Sequence, residues 1–416
     1  MIRTLVLSYG SLVLAWVAVA YRLPVLWQPV ERLGLRAHWF AHLALAVSLT
    51  FLFGPVYLAI DAAAGMPNLA RLLGHAVVLV ACWCVQVYFV HLALPPRPAR
   101  AASLRGGLAL LAAMVLLAAS FGLAHIREED AVDFTGHFAA RPFVLEYRLV
   151  FLAYLATSML VLIRLAHQYA PIVRDRPSLF LGLHLLGLAG WGALAYVLHE
   201  GAWAASQRLG LSYPAPEPEL TKEILMAVSL GLLLVGATLP AWGPRVGVPS
   251  WWRWAERHVA CRRLYPFWRD LCRAFPELAL VAPGSAVADA LAVRDVDLRL
   301  VRRVVEIRDC RLALRAYLPA GTVAGVRSAC EAAGLTPLAT QATIEAASLA
   351  AALRPYSCGA VANLPDPLPE TPGASDLDHE VAYLLRVAHA YTRSPMVRAY
   401  RTRARPGRRR AERAVA

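Results

Sequence analysis

Seven stretches within the first 244 residues are long and apolar enough to cross a membrane: 4–21, 39–60, 71–94, 106–125, 144–164, 179–199 and 224–242. About 20 helical residues traverse a hydrocarbon core of about 30 Å. Inside that core a backbone amide finds no water, so each stretch must satisfy its own hydrogen bonds as a helix. The expected fold is all-α: a seven-transmembrane helix bundle over residues 1–244, followed by a chain half of different character. The first stretch, TLVLSYGSLVLAWVAVAY, has the length of a secretory leader. Only Arg22 and Pro24 follow it, with no small-residue cleavage site, so it reads as a retained span.

The connections between spans alternate in charge. The first holds Arg22, Arg32 and Arg36, the third Arg97, Arg100 and Arg105, and the fifth Arg174 and Arg176. The second holds Asp61 and Arg71, the fourth has five acids counting Glu146, and the sixth has Glu200, Glu217 and Glu219. Arginine-rich connections stay in the cytoplasm. Positive odd connections therefore place the N-terminus outside a cell membrane and the chain after the seventh span inside.

Composition agrees with a membrane protein. Charged residues are 17% of the chain, against about a quarter in soluble domains. Lys222 is the sole lysine, so the net charge of +14 is almost all arginine. In so alanine-rich a chain, that bias reads as GC-rich coding more than arginine chemistry. Five of the seven cysteines follow the last span, which suits a reducing compartment. Cys82 and Cys84 lie two apart on a helix and point to different faces, unfit for a disulfide.

Residues 245–275 mix tryptophan with arginine. Rings at the boundary and guanidinium groups on phosphates suit a juxtamembrane segment, with Trp251, Trp252, Trp254, Arg253 and Arg257 touching the membrane surface. An ordinary amphipathic helix of the following domain would show the same pattern. Residues 276–392 read as a helical cytoplasmic domain, in which Val296, Leu300, Val304 and Ile307 form one apolar stripe. Ser375 or Asp376 is placed to cap its last helix. Residues 393–416, with nine arginines and one acid, are expected to be disordered. The expected partners are the lipid bilayer and a cytoplasmic regulatory protein. CEAAGLTPLATQATIEAA is only faintly like a helix-turn-helix, so nucleic acid is not expected. Nothing in the pattern fixes an oligomeric state.

The chain shows no phosphate-cradling glycine loop, nucleophile elbow, histidine pair of a zinc protease or zinc-spaced cysteine cluster. No catalytic residue, metal or cofactor is therefore expected. GLAGWGAL in the sixth span reads as close helix packing through small residues.

What stands out is polarity inside the spans. Asn68, Arg71, His75, Cys82 and Gln86 share one stripe of the third span, with His91 pointing elsewhere. Thr50, Gly54, Tyr57 and Asp61 share a face of the second, with Pro55 predicting a kink. Glu146, Thr157 and Arg164 align on the fifth; His184, Gly187, Trp191 and His199 align on the sixth. Ionisable groups in a bilayer usually face a bundle interior or a watery cavity. Asp61, Asn68, Arg71, His75, Gln86, Glu146, Arg148, His199, Glu200, Lys222 and Glu223 are thus expected to line an outward-facing polar cavity. The competing expectation for Glu200, Lys222 and Glu223 is snorkelling to headgroups. For His75 and Gln86 it is a helix–helix hydrogen bond.

GMPNLARLLGHAVVLV, DFTGHFA and FLAYLA in the first half, with RRLYPFWRDLCRAFPELAL and VRDVDLRLVRRVVEIRDCRLALRAYL in the second, carry a resemblance over nearly the whole length. On these segments the chain resembles an uncharacterised actinobacterial family of integral membrane proteins labelled as transporters. Its C-terminal part is a domain of unknown function. The resemblance implies several spans followed by a cytoplasmic helical domain, and no catalytic residues. Where the family tends to have glycine after EIRD, this chain has Cys310.

Three functions compete on this reading. A small-solute transporter would use the polar cavity, although seven spans show no internal repeat of the kind many transporters have. A seven-span receptor or scaffold would bind a ligand outside and signal through the cytoplasmic domain to a protein. A membrane enzyme would act on a lipidic substrate. A cavity sealed inward argues for receptor or enzyme, and a continuous path for transport.

Overall fold

A computed structural model describes residues 2–27, 33–131, 134–357 and 376–403. The described residues form helices and turns and no strand. Two compact units meet at residue 249, and each has its own core.

The first unit holds α1 (Ile2–Arg22), α2 (Leu33–Phe51), α3 (Gly54–Ala64), α4 (Leu69–Ala93), α5 (Pro96–Leu123), the short α6 (Phe134–Phe138), α7 (Val144–Tyr169), α8 (Pro177–Leu209) and α9 (Pro218–Trp242). Among the described residues, six of its helices are long and apolar enough to cross a membrane: α1, α4, α5, α7, α8 and α9. The pair α2 and α3 meets the same test jointly but is bent by 78°.

That bend falls where Pro55 predicted a kink in the second apolar stretch. Pro55 has no N–H to donate to the Phe51 carbonyl, and its ring would crowd that carbonyl in a helix continued through it. The chain accordingly leaves the helix at Phe53, which is extended (φ −75°, ψ 122°). α2 alone runs antiparallel along α4. Gly34 lies beside Tyr88 and His91, and further on the Ser48 hydroxyl donates to the Gly74 carbonyl at 2.9 Å. α3 then turns off at the acid-rich end and returns the chain to the start of α4.

α1 joins α2 to α9, α2 packs on α4, α4 on α7, α7 on α8 and α8 on α9, which closes a ring. α5 lies outside it against α4 and α7, with Leu104, Leu108, Leu111 and Val115 exposed. Such a face suits lipid tails, which are as apolar as leucine. The glycine-rich stretch of α8 packs closely on both sides. A Cβ on Gly190 would meet the Ile163 side chain at 2.6 Å, and one on Gly192 the Ser229 hydroxyl at 2.5 Å.

The second unit contains α10 (Val248–Ala274), α11 (Ala286–Leu291), α12 (Val296–Leu314), α13 (Thr322–Ala332), α14 (Pro337–Ser357), α15 (Leu377–Arg393) and α16 (Pro395–Arg403). The α12 stripe Val296, Leu300, Val304 and Ile307 is buried. α14 is its central helix, buried at every position from Ala342 to Ala352.

The tail differs from expectation. α16 forms where residues 393–416 were expected to be disordered, because Met396, Val397 and Tyr400 supply an apolar face and Arg401 bonds to Asp270 at 3.1 Å. Residues 358–375, Cys358 and Ser375 among them, and 404–416 lie outside the described residues, and Asp376 precedes α15 without a side-chain cap.

Candidate ligand cavity and its polar roof

The bundle surrounds a partly open cavity of about 510 Å³, lined by α2, α4, α7, α8 and α9 together with Arg22. It extends from His75, towards the acid-rich end, to Arg22, Tyr169, Val173 and Pro240 at the arginine-rich end. Leucine, valine, alanine and aromatic side chains make most of its wall, and no aspartate or glutamate lines it. This is the size of a small-molecule site, for which about 300–1,000 Å³ is usual.

Above it the polar residues are engaged with one another. Asp61 accepts hydrogen bonds from the backbone N–H of Asn68 (2.5 Å) and of Ala70 (2.7 Å), so a carboxylate from α3 caps the positive start of α4. Asn68 is fully buried in the left-handed region (φ 63°). Its amide oxygen accepts from the Tyr57 hydroxyl (2.7 Å) and the Asp130 N–H (3.1 Å), while its Nδ2 donates to the Glu128 carbonyl (2.8 Å). Arg71 donates to the Asp130 carbonyl (3.0 Å), its guanidinium lying 4.6 Å from the Phe134 ring centre and 5.5 Å from that of Tyr57. The loop between α5 and α6 is thereby held down through its main chain, and its Asp130 and Glu128 carboxylates pair with His137 and Arg141.

A second buried cluster lies alongside. Arg148 of α7 forms an ion pair with Glu200 of α8, and both bond to Thr135 of α6, whose hydroxyl donates to Glu200 at 2.6 Å. Glu200 Oε2 and Arg148 Nε remain buried without a partner. His75 Nδ1 bonds to the Tyr147 hydroxyl at 2.7 Å, and its ring stacks on Phe151 at 4.1 Å. His75 is the roof residue that also lines the cavity.

The expected site thus divides. Asp61, Asn68, Arg71, His75, Arg148 and Glu200 are buried at the acid-rich end, but as a paired roof in place of an open polar pocket. Gln86 donates to the Ser158 hydroxyl at 2.9 Å, the helix–helix bond that competed with the cavity reading. Lys222 pairs with Glu219 and lies 5.6 Å from the Trp203 ring centre; His199 bonds to the Tyr213 hydroxyl at 2.7 Å. Glu223 is half-buried with Oε2 unpartnered. Glu146, Thr157 and Arg164 do share one face of α7, and that face is exposed. Their alignment gave the right stripe and the wrong side.

Sequence reasoning missed the arginine-end polar residues of the cavity, His38 and His42, both buried. Four residues apart at the start of α2, they form a helical pair that periodicity could have found. It also missed Thr135 and Asp130, which sit in a loop where periodicity says nothing.

In the second unit, Trp251 is 71% exposed and Arg253 is exposed too. Trp254 donates to the Val293 carbonyl at 3.2 Å, and Arg257 bonds to Asp297 at 2.9 Å, so these two are occupied within the unit. Trp252 is half-buried. Buried charges that the α12 stripe did not foretell lie behind it. Arg303 bonds to Asp289 and to the Cys261 carbonyl beside the Trp268 ring; Glu306 accepts from Trp268 and from the Leu280 N–H (3.0 Å). Glu345 of α14 bonds to Arg311 (3.2 Å) and the Tyr383 hydroxyl (2.5 Å), and burial raises its pKa above the usual carboxylate value. Among the described residues no group of histidine, cysteine and acids is placed to hold a metal.

Several apolar helices around a partly open cavity, joined to a separate helical unit, define a multi-pass membrane protein with an appended domain. Residues 253–394 match a family of unknown function, DUF6545, so that domain occupies most of the second unit. No curated protein and no solved structure matches the chain.

Proposed function

We propose that this chain is a receptor of a cell membrane, with its N-terminus outside, that holds a small apolar or amphipathic molecule inside its spanning bundle. The C-terminal helical domain, in the cytoplasm, passes the occupied state to a protein partner. One observation carries this reading: polar groups that would have to face a water-soluble solute are turned on each other, while the space left open is apolar. The alternation of arginine-rich and acidic connections supports the orientation. Exposed Trp251 and Arg253 suit contact with the inner headgroups.

The test is thermal unfolding of the purified chain in mild detergent against two ligand panels. Single-chain amphiphiles should raise the melting temperature, and sugars, amino acids and inorganic ions should not. The reverse result would sink the reading. Transport of a small solute is the second reading, favoured by the buried Arg148–Glu200 pair, which would part to open a path past the roof. Solute uptake into liposomes that fails with Glu200→Gln would favour it.

A further inference from the structure

The arginine-rich end of the cavity carries its own polar cluster. Arg22 from the end of α1, with His38 and His42 from α2, lines the cavity there beside Tyr88. One guanidinium nitrogen of Arg22 donates to the Ala237 carbonyl, but its Nε is buried without a partner. His42 Nδ1 lies 2.8 Å from the His38 carbonyl. A carbonyl only accepts, so Nδ1 bears the proton and Nε2 is left as a bare acceptor; that Nε2 is buried and unpartnered. The His38 ring bonds to the Ala237 carbonyl while its Nδ1 has no partner, so it too presents a lone pair. Two imidazole acceptors therefore stand beside one arginine donor, in a cavity free of acidic side chains.

A head group that fits must bring a proton for an imidazole and an oxygen for the guanidinium. An acid does both. The proton is shared between the acid oxygen and His42 Nε2, and whichever side holds it, the second oxygen accepts from Arg22. The remaining wall is apolar. The cavity, about 510 Å³, lies in the range of small-molecule sites, about 300–1,000 Å³. An apolar space of that size suits a single acyl chain.

We propose that Arg22, His38 and His42 seat the acidic head of a single-chain amphiphile, a long-chain carboxylic acid in its simplest form, with its tail running toward His75. This names the ligand class of the receptor cavity and rests on that reading.

Radiolabelled hexadecanoic acid is bound to the purified full chain in detergent, with methyl hexadecanoate, hexadecanol and a two-chain phosphatidylglycerol as competitors. The free acid should compete at least about tenfold better than the ester or the alcohol, the size of one charge-assisted hydrogen bond, and the phospholipid should not compete. Arg22→Gln and His42→Leu should bind acid and ester alike. If His42→Leu does not fold, Arg22→Gln and the competitor series on the unmodified chain decide the matter. Equal competition by acid and ester, or an acid preference that survives Arg22→Gln, overturns the head-group assignment while leaving an apolar cavity intact. Equal competition by the phospholipid overturns the single-chain class. Absence of any chain binding overturns the receptor cavity itself.

Discussion

A Cβ added to Gly182 of α8 would stand 2.7 Å from the carbonyl oxygen of Gly236 on α9, and one on Gly236 would meet the Gly182 carbonyl at 2.9 Å. The two helices touch there backbone to backbone. Gly182→Val should lower the melting temperature markedly, because rigid backbone is what the new side chain meets. Gly231 on the same α9 has open space around it. Gly231→Ala should be neutral or stabilise by about 0.5–1 kcal/mol, since alanine loses less backbone freedom in a helix. Thermal unfolding of both variants in one detergent checks the contrast.

Asp61 satisfies two backbone N–H groups at the start of α4 from a buried position. Asp61→Ala leaves both donors without their acceptor and should cost about 1–3 kcal/mol. Hydrogen exchange should rise first at Asn68 and Ala70. Unchanged exchange there would show that the cap is dispensable.

Arg148 and Glu200 are buried together, so removing one partner strands the other charge. Arg148→Met alone or Glu200→Gln alone should destabilise by about 3–5 kcal/mol, and the double substitution by much less than the sum. A double-mutant cycle on unfolding supplies the coupling. Additive effects would mean that the pair contributes nothing as a pair.

Glu345 offers a pH test in the second unit. Burial is the largest influence and raises its pKa in the folded chain above the ordinary 4.5, against the opposing pull of Arg311. A raised folded value means that the native state binds the proton more tightly than the unfolded chain. This contribution is full below about pH 4.5 and is lost as pH rises through the folded value. Glu345→Gln should flatten that part of the stability profile, as read by unfolding from pH 4 upward relative to the parent.

The orientation is open to labelling in intact cells. Glu129→Cys, in the acidic loop, should react with a membrane-impermeant maleimide, and Arg97→Cys, in a basic connection, should not. The opposite pattern would invert the bundle.

Helical periodicity reached as far as single helices allow. It placed Asn68, Arg71, His75 and Cys82 on one buried face of α4, because a 3.6-residue repeat survives in any environment. It could not choose a side on α7, where Glu146, Thr157 and Arg164 face outward, since a bundle helix has apolar residues all round. Nor could it see that Arg71 meets the carbonyl of Asp130, 59 residues away in a loop without a repeat. The break at Phe53 was half legible: Pro55 predicts a disturbance, but the 78° turn depends on what α3 packs against. In α12 one stripe was read from four aliphatic residues, while Arg303 and Glu306 lie buried on another side through partners on α10 and α11.

Asn68 and Arg71 grip the roof loop by the carbonyls of Glu128 and Asp130, groups that every amino acid carries. The carboxylates of the same two residues add ion pairs, Asp130 with His137 and Glu128 with Arg141, so the loop is fastened twice over. A relative that replaced Glu128 or Asp130 would give up those ion pairs and keep the carbonyl contacts, provided the asparagine and arginine beneath are retained.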